Sequence, residues 1–499
     1  MRTVYKYFIL FTFSIAAACG GGGGGGGNGG GGDTTKPATP TGLTSSAASA
    51  NRIDLSWTAA SDDVGVAGYK IYRNGVYLKS ESGVSTSDTG LSAGTQYCYK
   101  VSAYDAANNE SAQSVQVCAA TPFPVWFKTY GTSEGVQGYG KSVKQTSDGG
   151  YIIVGISETD LKGSYVYILK TDAAGKTLWD GILGSYSGAE VRSEFGRSVQ
   201  QTADGGYIVL GEYSLGSNRQ MWLIKTDANG GVEWDRLYGY DDRLEEASEV
   251  QQTSDGGYIL VGTTTYFNPL TGRRAGSNVF LVKTDRLGNT QWYKQKGYDD
   301  SDETGASVQQ TSDGGYILTG ITYQFDNSGD LWLVKVGADG STVWHHHYGI
   351  ANTFDEGTSV RQTTDGGYIF AGSTGPSSNR DICLLKTDSA GNRQWARAFG
   401  GPASDWNAVV QQTTDGGYVI AGSTYSYGAG QSDGYLIKTD AAGNTLWTNT
   451  FGGSGQDYFH SVQQTRDGGY IMTGSTESYG DGSSAVYLVK TDANGSSLP

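Results

Sequence analysis

Six carboxylates recur at one position along this chain. Counting back four residues from the start of each SV-type phrase gives Gly138, Glu194, Glu245, Glu303, Asp355, Asp405 and Asp457. Aromatic residues follow at four of these positions: Tyr139, Phe195, Trp406 and Tyr458. Carboxylates beside aromatic faces suit a sugar, which stacks on rings and hydrogen-bonds to acids, or a Lys or Arg side chain. A narrow opening would concentrate the field of such a ring. A plainer role is also available, because a residue repeated in register can accept the backbone N–H groups of an incoming loop in every copy. The candidate ligand-binding set is therefore Glu194, Glu245, Glu303, Asp355, Asp405, Trp406, Asp457 and Tyr458, with both roles open.

Other chemistry-bearing residues make weaker patterns. His345, His346 and His347 fall on a strand whose alternation sends them to opposite faces, as a solvated surface does. The turns Asp227 to Gly230 and Asp492 to Gly495 resemble fragments of calcium loops but lack the remaining ligands and the terminal Glu. Calcium is thus unsupported, no other cofactor is predicted, and turn chemistry accounts for these residues. The neighbouring acids Asp241 and Asp242, or Asp299 and Asp300, point apart, whereas a glycosidase holds two carboxyls across its sugar. Cys383, alone in an ICLLK strand, reads as an inert core thiol.

The carboxylates sit inside a seven-fold repeat. Trp126, Trp179, Trp234, Trp292, Trp344, Trp395 and Trp447 recur every 51 to 58 residues, separated by a variable loop, SVxQTxDGGYIxxG and xLxKTDxxG. Such self-similarity means stacked supersecondary units. DGG marks one hairpin and DAxGN a second, giving four antiparallel strands per unit. The apolar runs Tyr258 to Gly262 and Trp222 to Lys225 lack a polar face, as in sheets covered on both sides. Seven four-stranded sheets packed radially make a β-propeller. The last repeat stops before its tryptophan strand while Phe123 to Gly131 is such a strand without a preceding hairpin, so the two ends are expected to complete one blade and remove the open edge. Both short turns then lie on one side, and the variable loops, where function concentrates, on the other.

Composition agrees with an all-β protein. The 499 residues include 78 Gly, 34 Tyr and only 8 Pro, suited to short strands and tight turns. A formal net charge of −15 argues against a nucleic acid partner, whose phosphates need Lys and Arg, and favours a cationic or neutral one. Arg2 and Lys6 precede an apolar run from Tyr7 to Ile15, an export signal too short to span a bilayer. Residues 20–32 are glycine except for Asn28 and form a tether. The expected domains are a signal at 1–19, a linker at 20–36, a sandwich at 37–122 and the propeller at 123–499.

Several segments resemble known families. Ala16, Ala17 and Ala18 before Cys19 resemble a bacterial lipoprotein signal, which implies acylation of Cys19 and an outer-membrane or surface location; release after simple cleavage is the alternative. Ile53 to Trp57, Gly68 to Gly75 and LSAGTQY, with Tyr97 at the tyrosine corner, resemble a fibronectin type III module. Cys98 and Cys118 then fall on neighbouring strands, either as a cross-strand disulfide or as two unpaired small residues. The D-A-x-G-x-x-x-W phrase, as at Asp440, Ala441, Gly443 and Trp447, resembles quinoprotein-like propellers, and the SDGGY hairpins are similar to surface-protein repeats. The vicinal cysteines of quinone-dependent dehydrogenases are missing, as are the ligands of a radical-copper oxidase. The expectation is a monomeric, exported binding module for a cell-envelope or extracellular protein or glycan, touching membrane only through its lipid. The other class is a secreted enzyme, polysaccharide-cleaving or cofactor-dependent, using the same face.

Overall fold

The computed structural model describes residues 33–122, 125–131, 136–159, 163–184, 192–215, 218–267, 274–298, 301–324, 329–349, 353–376, 378–480 and 483–497. The signal, Cys19 and most of the glycine linker lie outside them. The described residues are all-β and contain no helix, hence none long and apolar enough to cross a membrane. Contacts divide the chain into two compact units, with the main division between Ala119 and Ala120.

The first unit has two sheets. One pairs Thr41–Ser49, Arg52–Thr58 and Ser85–Thr89; the other orders Val76–Glu81, Val66–Arg73, Gln96–Asp105 and Val117–Ala120. Alternation buries Ile53, Leu55 and Trp57 on one strand and Tyr99, Val101 and Ala103 on another, as two facing sheets require. The Trp57 ring meets Tyr69 edge-on at 5.4 Å. Tyr99 is the fully buried tyrosine, donating its hydroxyl to Asp88 Oδ2 at 2.8 Å. Tyr97 is half-buried beneath the Arg73 guanidinium. Cys98 and Cys118 form a disulfide.

The second unit repeats one antiparallel four-stranded arrangement. Glu303–Gln310, Tyr316–Thr322, Asp330–Val336 and Thr342–Tyr348 make one sheet in chain order, and the next two repeats do likewise. Short parallel pairings, Gly163 with Arg192 and Arg219 with Leu244, merge the first three repeats into a twelve-stranded sheet. In the last repeat Asp457–Gln464, Tyr470–Thr476 and Ala485–Thr491 take Trp126–Tyr130 as fourth strand, with Lys490 opposite Trp126 and Val486 opposite Tyr130. The two chain ends of this unit therefore share one sheet.

The repeated words have local duties. At SDGGY, Gly149 takes φ +87°, and a Cβ on Gly150 would lie 2.1 Å from the Thr171 carbonyl, so both positions need glycine. The Asp of this turn pairs with the buried Lys of KTD, or of KVG in the fourth repeat, in all seven, from Lys170–Asp148 at 2.8 Å to Lys490–Asp467 at 2.7 Å. Each repeat's tryptophan crosses to its neighbour. Trp179 packs on Tyr207 and over Gly230, while Trp126, from the shared last sheet, packs on Tyr151 and over Gly175 of the first repeat.

A hydrogen bond at the turn end repeats the same step. The Gln before the Thr of each QQT, KQT or RQT phrase accepts, at Oε1, a backbone N–H from the preceding repeat, at 2.7 to 3.0 Å. The series runs from Ser147 to Gln201 onward and ends with Arg466 of the last repeat donating to Gln145 of the first. Neighbour contacts thus return to their starting point.

Candidate functional site

The opening strands of the seven repeats line one cavity of about 450 Å³. Their shared word, S-V-Q-Q, holds them side by side. The Ser hydroxyl accepts the Val N–H of the next repeat, as in Ser142 with Val199 at 3.3 Å and Ser461 with Val143 at 3.2 Å. The first Gln, at Oε1, accepts the N–H of the next repeat's second Gln at 2.6 to 2.7 Å; the acceptors are Gln200, Gln251, Gln309, Gln411 and Gln463.

Charged residues interrupt this framework. The first and fifth repeats carry Lys144 and Arg361 where the other five have Gln, and the third carries Glu249 where five have Ser. Arg361 Nη2 reaches Glu249 Oε1 at 2.7 Å, and Glu249 Oε2 also accepts Ser307 Oγ at 2.6 Å and the Val308 N–H at 3.1 Å. Three residues earlier on the strands stand Lys141, Arg197 and His460, where other repeats have Ser248, Ala306, Thr358 and Ala408. All but Ala408 line the cavity.

The resulting charge is positive. Arg197 is matched by the buried Glu212, Nε to Oε1 at 2.9 Å, and Arg361 by Glu249. Lys141 and Lys144 are left without a described carboxylate in ion-pair range. Burial brings each ammonium down to about 8, assisted by Arg197 at Lys141 and by Arg361 at Lys144, and opposed by Glu158 and Glu249 respectively. Burial, with Lys141 and Arg197 close by, pushes His460 well below its usual value, so its ring is neutral. Lys141 Nζ lies 3.1 Å from His460 Nε2, which accepts its hydrogen bond when the ring carries hydrogen on Nδ1. No described residue accepts a hydrogen bond from the Lys144 ammonium.

The six repeated carboxylates are placed elsewhere. Glu194, Glu245, Glu303, Asp355, Asp405 and Asp457 are each at most 5% exposed. Asp405 Oδ2 accepts the Gly401 N–H at 3.0 Å and Ser426 Oγ at 2.7 Å; Asp457 repeats this with Gly453 and Ser478. Glu303 accepts the Tyr298 N–H at 3.2 Å and Thr322 Oγ1 at 3.0 Å, Glu245 accepts Thr264 Oγ1, and Asp355 accepts Thr353 and Thr374. Glu194 packs beneath Gly184. All six are thus buried, and Glu303, Asp405 and Asp457 accept loop N–H groups, the plainer of the two roles open to this series. Burial raises Glu245 to about 7, and raises Glu303 as well.

The aromatic members remain accessible. Tyr139, Phe195, Trp406 and Tyr458 are half-buried, and Lys141 and Arg197 lie over the Tyr139 and Phe195 rings at 5.9 and 5.6 Å. That contact places these two rings next to the cavity's cations. The Tyr458 hydroxyl is 3.2 Å from that of Tyr425, itself 41% exposed. Trp406 precedes Asn407, which has φ 59°, at a bulge wider than in the sister strands.

Other candidates resolve locally. His346 Nε2 lies 3.0 Å from the Ala390 carbonyl and His345 Nδ1 is 2.8 Å from the Tyr298 hydroxyl, while His345 and His347 are exposed. In the DANG turn Asp227 Oδ1 accepts the Asn229 and Gly231 N–H groups. Burial pushes the Cys383 thiol up to about 12, which suppresses thiolate.

No family model matches this chain. It is 48% identical over 89 residues to chitinase Chi52 of Paenibacillus xylanexedens, covering 18% of this chain and 17% of that protein. It is 47% identical over 90 residues to an alpha-amylase of Niallia circulans and 43% over 89 to exoglucanase B of Cellulomonas fimi, each match covering 18% of this chain and 7% and 8% of those proteins. The matched segments are fibronectin type III-like modules. The chain thus spans less than a fifth of the length of these relatives. Among solved structures, FN3tt is 23% identical, covering 18% of this chain and 98% of that one with a TM-score of 0.16. A Dyadobacter fermentans protein of unknown function is 10% identical, covering 74% and 98% with a TM-score of 0.44.

Proposed function

We propose that this chain is an exported carbohydrate-binding protein whose second unit, 123–499, is a seven-bladed β-propeller presenting the saccharide site. The cyclic contacts support the propeller: Trp126 repeats, between last and first repeats, the packing that Trp179 and its sisters make inside the series. In this reading the shared cavity is the propeller's axial channel, residues 37–122 form a spacer module, and acylated Cys19 with the glycine linker anchors it to the cell surface. The module's relatives are a chitinase, an amylase and an exoglucanase, which supports a carbohydrate-related setting.

The observation that carries the site is the group of half-buried rings Tyr139, Phe195, Trp406 and Tyr458 at the starts of the channel-lining strands. Aromatic faces beside hydrogen-bonding groups are how proteins hold sugar rings. Affinity electrophoresis of the full chain in gels containing plant, fungal and bacterial polysaccharides tests it. Retardation by at least one polysaccharide, weakened about tenfold by Trp406→Ala or Tyr458→Ala, is expected. Retardation unchanged in both variants overturns the placement, and migration unaffected by every polysaccharide overturns the function.

A further inference from the structure

The channel's departures from its own repeat point to the kind of saccharide. Four cations, Lys141, Lys144, Arg197 and Arg361, line the cavity with one carboxylate, Glu249, while Glu212 behind Arg197 is shared with Arg219, so the lining is positive in a protein whose formal net charge is −15. The fold gives no reason for them. A Gln at position 144 would accept the Gln201 N–H, as five sister glutamines do for their neighbours, and would bring no desolvated charge. Lys144 forgoes that bond and sits where burial opposes its protonation. Residues that break a local rule at a cost to the fold mark function.

We propose that the channel selects an acidic saccharide, its anionic groups, carboxylate or sulfate, seated on Lys141 and Lys144 while Tyr139 and Phe195 flank the sugar at the entrance. This deepens the carbohydrate reading and rests on it. Lys141 and Lys144 are three residues apart on one strand and both line the cavity, the bulge at Lys141 offsetting strand alternation, so each can meet its own acidic group. Each would exchange lost hydration for a charge-assisted hydrogen bond. The neutral His460 contacts Lys141 without competing for the anion, and the Arg361–Glu249 pair lines the wall with Lys144. A volume of about 450 Å³ lies within the range of small-ligand pockets.

Calorimetry on the full chain tests this with three probes of matched length: an oligouronate, a sulfated oligosaccharide and a neutral oligosaccharide. At least one acidic probe is expected to bind ten or more times tighter than the neutral one, and the two acidic arms distinguish carboxylate from sulfate. Lys144→Gln installs the sister residue, so it should keep the melting temperature while lowering acidic affinity about tenfold; Lys141→Ser should act likewise, and Lys144→Arg should retain binding. Equal binding of acidic and neutral probes, or full acidic affinity in both charge-removing variants, overturns the inference while the carbohydrate reading stands. Binding of no probe, together with no retardation by any polysaccharide, overturns both.

Discussion

Arg361 and Glu249, 112 residues apart in the chain, meet side by side in the cavity with Nη2 2.7 Å from Oε1. Each replaces the residue that its repeat word prescribes, and each compensates the other's charge. Arg361→Gln alone leaves Glu249 partly buried without its cation, and should cost about 2 kcal/mol in urea unfolding. The double change with Glu249→Ser returns both positions to the repeat and should recover most of that loss. Additive losses in a double-mutant cycle would show that the pair is not coupled.

Trp126 should matter as much as any internal tryptophan. It is 9% exposed, packs on Tyr151, and its Nε1 donates to the Ala173 carbonyl at 3.3 Å. Trp126→Ala should destabilise the second unit by about 3–5 kcal/mol, matching Trp395→Ala. A much smaller effect at Trp126, measured by calorimetric melting, would mean that the strand from the amino end does not hold the last sheet to the first.

Two buried carboxyls should tie stability to pH. Burial raises Glu245 to about 7 and, with the charge of Asp457 adding to it, Asp433 to about 6. A carboxyl raised on folding binds its proton more tightly in the native state, so its contribution is complete below the unfolded value near 4.5 or 3.8 and is lost as pH rises through 6 to 7. Melting temperature should therefore fall between about pH 5 and 8. Glu245→Gln and Asp433→Asn together should flatten that decline, and an unaltered slope in the double variant counts against these groups as its source.

The cavity lysines should make acidic-ligand affinity fall at alkaline pH. Both ammonium groups sit near 8, Lys141 facing His460, Arg197 and Glu158, and Lys144 facing Arg361 and Glu249. An anion binds the protonated form, so affinity should be level below about pH 7 and decline as pH passes 8. Titration calorimetry in buffers of different ionisation heat should show proton uptake on binding near pH 8. No uptake would mean that neither lysine meets the ligand.

Reducing Cys98–Cys118 should act on the first unit alone. The bond closes a separation of 20 residues and is worth about 3 kcal/mol by the chain-entropy account. Two-transition melting with and without reductant should move only the transition that Trp57 reports.

The repeat words by themselves determined the strands, the two hairpins of each unit and the partnership of the chain ends, because glycine-bearing turns and apolar runs are local signals. The strand pattern of residues 37–122 likewise placed Cys98 and Cys118 on neighbouring strands. The six carboxylates were visible as a series, yet periodicity places a residue on a strand without saying whether its oxygens meet solvent or loop amides; Asp405 and Asp457 turn to Gly401 and Gly453. The cationic cavity was hidden for a complementary reason. Lys141, Lys144, Arg197 and Arg361 come from three repeats and look like scattered surface charge until seven strands are set side by side. Only tertiary packing gathers them, and only there does low water access turn a few misplaced letters of a repeat into a concentrated positive field.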